Sequence, residues 1–140
     1  MIDFREYLSI GQKAVENKVI QHSDTPETYS SGLKNLLATP KLIHMAIEAS
    51  IHAIDIHLPQ DYVSVGTTIS FTHTAPTSIG MHVSVCAVIE AIEGNEITLS
   101  LEAHDDLGII GHGTCKRSIA HRQSIEHGAM HRLQKIQQQS

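Results

Sequence analysis

The sequence predicts an α+β fold, one buried helix wrapped by a long antiparallel sheet. Two observations predict it: a run that is apolar round most of a helix at 41–57, and strand-period runs over 63–121 with turn residues between them. The chain has 140 residues, a length that suits one compact domain covering 1–140. Residues 1–10 form a lead into that domain, and 122–140 a helical tail.

In chain order, residues 2–9 read as a short helix and 11–21 as a first strand. Residues 23–31, with Pro26 and many Ser and Thr, read as a loop, and 32–37 as a short helical turn. Ala38-Thr39-Pro40 supplies a helix start, with Thr39 as N-cap and Pro40 at the first helical position. The helix that follows carries Leu42, Ile43, Met45, Ala46, Ile47, Ala49, Ile51, Ala53, Ile54 and Ile56, and only a buried helix is apolar over so wide an arc. Its polar residues His44, Glu48 and His52 fall on one stripe at i, i+4 steps, and Leu58-Pro59 ends it.

Four strands follow. In 63–73, the period of two puts Thr67, Ile69, Phe71 and His73 on one inward face, with His73 at the rim of the core. The run 80–93 alternates Met81, Val83, Val85, Ala87, Ile89 and Ala91. Gly94-Asn95 turns the chain into 96–104, and 105–108 turns it again into 109–121. A surface helix over 124–137 closes the prediction.

Composition narrows the function classes. The net charge is -5 with no basic run, and phosphate binding needs concentrated Lys and Arg, so nucleic acid is not an expected partner. No apolar run reaches the roughly 18 residues of a membrane span. The N-terminal stretch lacks an apolar signal core, and Cys86 and Cys115 stand in no CxxC pattern. Together these favour a reducing, cytoplasmic setting. The 11 histidines are scattered, and the pair His127 and His131 lacks the further ligands a zinc site needs, so no metal is expected.

The pieces Ala38-Thr39-Pro40, GTTISFTHT at 66–74, His104-Asp105 before a Gly turn, and Gly113-Thr114-x-x-Arg117 resemble those of hot-dog fold acyl-CoA thioesterases, in particular the fluoroacetyl-CoA thioesterase type. The resemblance covers roughly 11–121. It implies a curved antiparallel sheet around a central helix, subunits paired through their sheets into a homodimer or higher oligomer, and active sites at the subunit interface. It further implies an acyl-CoA substrate, no cofactor, and a catalytic set of threonine, glutamate and histidine. Thr39 matches the threonine and His73 the histidine. Gly66 matches a substrate-proximal glycine, where a missing side chain allows close approach. Glu48 is the candidate carboxylate, although ungapped spacing from Thr39 to His73 puts Ile47 at that position. One residue turns a helix by about 100°, so Glu48 returns to the site only through a π-bulge or a shifted helix start.

Each residue also has a plainer reading: Thr39 as a helix cap, His73 as a hydrogen-bonded core ring, Glu48 as an ion-pair partner of His44 or His52, and Gly66 as a bulge or strand-start glycine. The function implied is hydrolysis of a small or medium acyl-CoA. The alternative is a non-catalytic hot-dog acyl-CoA binding protein that has lost the carboxylate. A hot-dog dehydratase ranks last, since no Asp-x-Asn-Pro-x-His stretch is present. Fluoroacetyl selectivity does not carry over, because 30–40 holds no gating aromatic residue and offers Leu33, Leu36 and Leu37 instead.

Overall fold

A computed structural model describes residues 2–139; Met1 and Ser140, the two ends of the expected domain, lie outside the described residues. Five strands form one antiparallel sheet in the order β1-β3-β4-β5-β2. They are β1 (Lys13–Val19), β2 (Tyr62–His73), β3 (His82–Glu93), β4 (Glu96–Asp105) and β5 (Gly108–His121). Helix α1 (Thr39–Ile54) lies along the inner face of the sheet, and α2 (Arg122–Gln138) follows β5. This is the α+β arrangement that the apolar helix and the strand runs predict, with the central helix of the hot-dog fold that the resemblance implies.

The core forms where α1 meets β3 and β4. Ala46, Ala49 and Ala53 are fully buried on the helix, opposite Val85, Ala87, Ile89, Ile97 and Leu99, also fully buried. Small residues at the contact let helix and sheet approach closely, and the strand alternation sends every second side chain of β3 and β4 into it. The other face of α1 is polar. His44 Nε2 lies 3.1 Å from Glu48 Oε1, and His52 pairs with Glu16 of β1.

The structure corrects several local expectations. The lead folds as a 3-10 turn at Phe4–Glu6 rather than a helix over 2–9, capped by Asp3 accepting from the Arg5 amide. The 23–31 loop contains two 3-10 turns, His22–Asp24 and Pro26–Thr28. Segment 32–37 is not helical: Leu36 bridges Ser78, and the Leu37 amide donates to the Thr77 carbonyl. Helix α1 stops at Ile54 and tightens into a 3-10 turn at Asp55–His57. Helix α2 starts two residues earlier than expected, at Arg122.

A β-bulge in β2 matters most. Gly66 pairs with Arg117 and Thr68 with Lys116, so Thr67 is an extra residue in the ladder. The expected inward face therefore loses Thr67, whose hydroxyl donates to the Lys116 carbonyl instead. An extra residue reverses the alternation. Before the bulge Ser64 and Gly66 share the inner side with their partners Ile119 and Arg117; after it Ile69, Phe71 and His73 do, opposite Cys115, Gly113 and Gly111. That half-strand is only partly covered, with Ile69 exposed and Phe71 and His73 half-buried. Gly111 makes room for the Phe71 ring, since a Cβ there would stand 2.6 Å from it.

Candidate active site

The head of α1 and the end of β2 meet at a cleft of about 350 Å³. Thr39 Oγ1 lies 2.8 Å from His73 Nδ1. This contact overrides the expected cap: the N-cap is Ala38, Thr39 is the first helical residue, and no side chain caps the helix. Pro40 brings no N–H, and the amides of Lys41 and Leu42 both donate to the Ala38 carbonyl. The Thr39 amide and hydroxyl are what remains at this helix end, where the helix dipole adds partial positive charge.

His73 is the only described residue with a buried side-chain polar atom lacking a partner, its Nε2. Burial pushes the imidazole below its ordinary value, against a smaller opposing pull from the Ala75 backbone. The ring is thus neutral near pH 7, with one nitrogen engaged by Thr39 and the other uncommitted.

The cleft walls are aliphatic. Leu33, Leu36 and Leu37 line one side, with Ala75 and Pro76 on the other and Pro26 and Tyr29 near them. Backbone bonds clamp these walls: Leu37 N to Thr77 O at 2.8 Å, Ile79 N to Asn35 O at 3.0 Å and Ala38 N to Asp24 O at 2.8 Å. Thr77 is fully buried, and its hydroxyl donates to Asp105 Oδ2 at 2.8 Å. Tyr29 was not expected, since it stands just before the 30–40 stretch, which holds no gating aromatic residue. Its one sequence signal is its place directly after the Pro26–Thr28 turn.

The other two candidates lie elsewhere in the chain. Glu48 pairs with His44 and does not line the cleft. Helix α1 runs without a π-bulge, so nothing rotates Glu48 back. Gly66 lines a second cleft of about 490 Å³, together with Ile47, Val65, Ile69 and Arg117. Eight residues separate Thr39 from Ile47, about 12 Å along the helix axis. Among the described residues, no three His, Cys, Asp or Glu side chains converge as metal ligands do. None of the described helices is long and apolar enough to cross a membrane.

The hot-dog-like protein of Thermanaerovibrio acidaminovorans superimposes with a TM-score of 0.88 and 26% identity, covering 94% of this chain and 97% of that one. The structure of the fluoroacetyl-CoA thioesterase FlK superimposes with a TM-score of 0.82 and 25% identity, covering 89% and 96%. In sequence, the fluoroacetyl-CoA thioesterase of Streptantibioticus cattleyicolor is 30% identical over 105 residues, 75% of this chain and 76% of that protein. Residues 20–123, which include the cleft and the second cavity, match the family described as FlK, fluoroacetyl-CoA-specific thioesterase. A neutral histidine held by a threonine at a helix head, in a hot-dog sheet, thus has its relatives among thioester hydrolases: the chain belongs to the fluoroacetyl-CoA-specific thioesterase family.

Proposed function

We propose that the protein hydrolyses small or medium acyl-CoA thioesters to the free acid and CoA, with Thr39 and His73 as its catalytic residues. The observation that carries the reading is the 2.8 Å contact between Thr39 Oγ1 and His73 Nδ1, which leaves a neutral imidazole with Nε2 free. For Nε2 to act as base, Nδ1 carries the hydrogen and donates it to Thr39 Oγ1. Water then attacks the thioester carbon while Nε2 takes its proton, and the Thr39 amide faces the negative charge growing on the oxygen. The C–S bond breaks, the sulfur takes the proton from His73, and acid and thiol leave. The aliphatic walls receive an acyl chain rather than an aromatic group.

The homodimer belongs to the same proposal. Strand β2 is a sheet edge, and its outer half, 66–70, is exposed. Ile47 and Ile69, 36% and 39% exposed, flank it with apolar surface. An exposed edge of this kind is closed by pairing with another strand, and a second copy offers the same edge in antiparallel sense. In that pairing Gly66 contributes to the second copy's site. Glu48, turned to the opposite side of α1, takes no part in proton transfer. Two free cysteines suit a reducing compartment such as the cytoplasm.

The test is CoA release from acyl-CoAs of two carbons upward, by the native protein and by His73→Ala. Release that drops at least 100-fold in the variant supports the reading. Acyl-CoA binding without release from any of them would leave the binding protein as the function.

A further inference from the structure

The pair His104-Asp105 ahead of Gly108 has no part in the reading above, and its two side chains go to different partners. His104 Nε2 lies 2.6 Å from Glu102 Oε1 at the surface. Asp105 Oδ2 accepts from the Thr77 hydroxyl at 2.8 Å, while Oδ1 accepts from the Leu107 amide at 2.8 Å. Burial draws the Asp105 carboxyl upward, but the hydrogen bonds from Leu107, Thr77 and Gly108 outweigh it and hold the group below its ordinary value. Thr77, fully buried, therefore donates to a carboxylate that stays charged, a stronger acceptor than a neutral group.

Thr77 ties this carboxylate to both halves of the cleft. Its carbonyl accepts from the Leu37 amide at 2.8 Å, and Leu37 runs directly into Ala38, the N-cap of α1, and Thr39. In the other direction Pro76, Ala75 and Thr74, which line the cleft, lead back to His73 at the end of β2. Asp105 is the last residue of β4 and belongs to the sheet that holds the imidazole: it pairs with Gly108 of β5, and Gly111 of β5 pairs with His73. Two bodies thus meet at Thr77, the wall that continues into the helix head and the sheet end that bears His73. Among the described residues, the Thr77–Asp105 bond is the only side-chain hydrogen bond that joins 74–79 to the β4–β5 turn. The contact between Thr39 and His73 spans the same two bodies at an exposed rim, so its distance depends on how they are held. A misplacement of about 1 Å at reacting groups can cost about 100-fold in rate.

Resting on the thioesterase reading above, we propose that Asp105 and Thr77 are positioning residues: the carboxylate, through the Thr77 hydroxyl, holds the helix head at the distance from β2 at which Thr39 meets His73. Neither residue lines the cleft, so neither acts on the substrate directly.

The experiment measures kcat and KM for CoA release by Thr77→Val, Thr77→Ser and Asp105→Ala, with melting temperatures taken alongside. Thr77→Val keeps the shape of the buried side chain and removes the hydroxyl, so kcat should fall at least fivefold with KM within twofold of the native protein. Asp105→Ala should match it, and the double variant should be no slower than either single one. Thr77→Ser, which keeps the hydroxyl, should stay within threefold. Placed in a Thr39→Val background, Thr77→Val should cost less than twofold, because the contact it supports is already gone. A tie that serves only the fold would lower the melting temperature and cost the same factor in both backgrounds, and that result overturns the proposal. Native-like kcat in both Thr77→Val and Asp105→Ala overturns it as well. Should Thr77→Val fail to fold, Asp105→Ala, made at a partly exposed turn, takes its place in the Thr39→Val comparison under the same criteria. Either overturning result leaves the thioesterase reading standing; absence of CoA release by the native protein removes that reading, and this proposal with it.

Discussion

Replacing Thr39 with Val removes one hydroxyl and keeps the shape of the side chain, so it isolates the contact to His73. The hydroxyl is at an exposed rim and caps nothing, since Ala38 is the N-cap. A single hydrogen bond of this kind contributes about 0.5–1.5 kcal/mol net, so the fold should lose at most about 1.5 kcal/mol, a small shift of the urea midpoint. The effect on turnover depends on what the hydroxyl does. If it only holds the imidazole in place and in the right tautomer, the same bond energy converts to a rate loss of about 2- to 12-fold. If it also contacts the reacting carbonyl or water, the loss rises to about 100-fold or more, the scale seen when an oxyanion donor is removed. The assay is CoA release under kcat/KM conditions for the native protein, Thr39→Val and Thr39→Ser, with the urea midpoint measured alongside. Thr39→Ser should stay within about threefold, since it keeps the oxygen. Native-like turnover by Thr39→Val, in a preparation where His73→Ala is inactive, would refute the role given to this contact.

The acid limb of kcat/KM should have its midpoint below 6.5, because burial lowers the His73 value and protonation removes the base; a midpoint above 6.5 contradicts it. The same shift gives His73 a stability contribution present above its unfolded value of about 6.5 and lost as pH falls from there through the lower folded value, which urea midpoints measured from pH 7 downward will register. Glu48→Gln should change CoA release by less than twofold and stability by no more than about 0.5 kcal/mol, since it breaks only the exposed pair with His44, a result read from initial rates and urea midpoints. Gly113→Ala should cost about 3 kcal/mol by urea denaturation, because the added methyl would stand 2.1 Å from the Ser70 carbonyl oxygen and 2.9 Å from Phe71 Cα, backbone atoms that cannot turn aside.

The strands were legible because β3 and β4 bury every second residue with little interruption, and α1 because its apolar arc is wide. Thr39 and His73 were legible as residues, but the geometry between them was not. A threonine before a proline reads as a cap, and only the folded chain shows that the imidazole of a strand 34 residues away takes the hydroxyl instead. The bulge was hidden for a different reason. Every residue of Thr67-Thr68-Ile69 suits a strand, so local propensity holds no sign of which one drops out of the ladder. Segment 32–37 was misread because its pairing with 77–79 is a long-range backbone contact, which no local pattern records. The displacement of Glu48 was legible, since counting from Thr39 along an unbroken helix already turns it toward His44.

The extra residue at Thr67 makes the facing of His73 a matter of chain parity. Two hydroxyl-bearing residues in succession stand there, and shortening the strand by one would leave every residue from 68 to 73 in place by composition while turning each to the other side of the sheet. His73 would leave Thr39 and point to solvent, whereas Ser64, Gly66 and Arg117, on the near side of the deletion, would keep their places. A length change in a backbone stretch that touches neither Thr39 nor His73 would thus work as an inverter, separating the half of β2 that holds the guanidinium from the half that holds the imidazole.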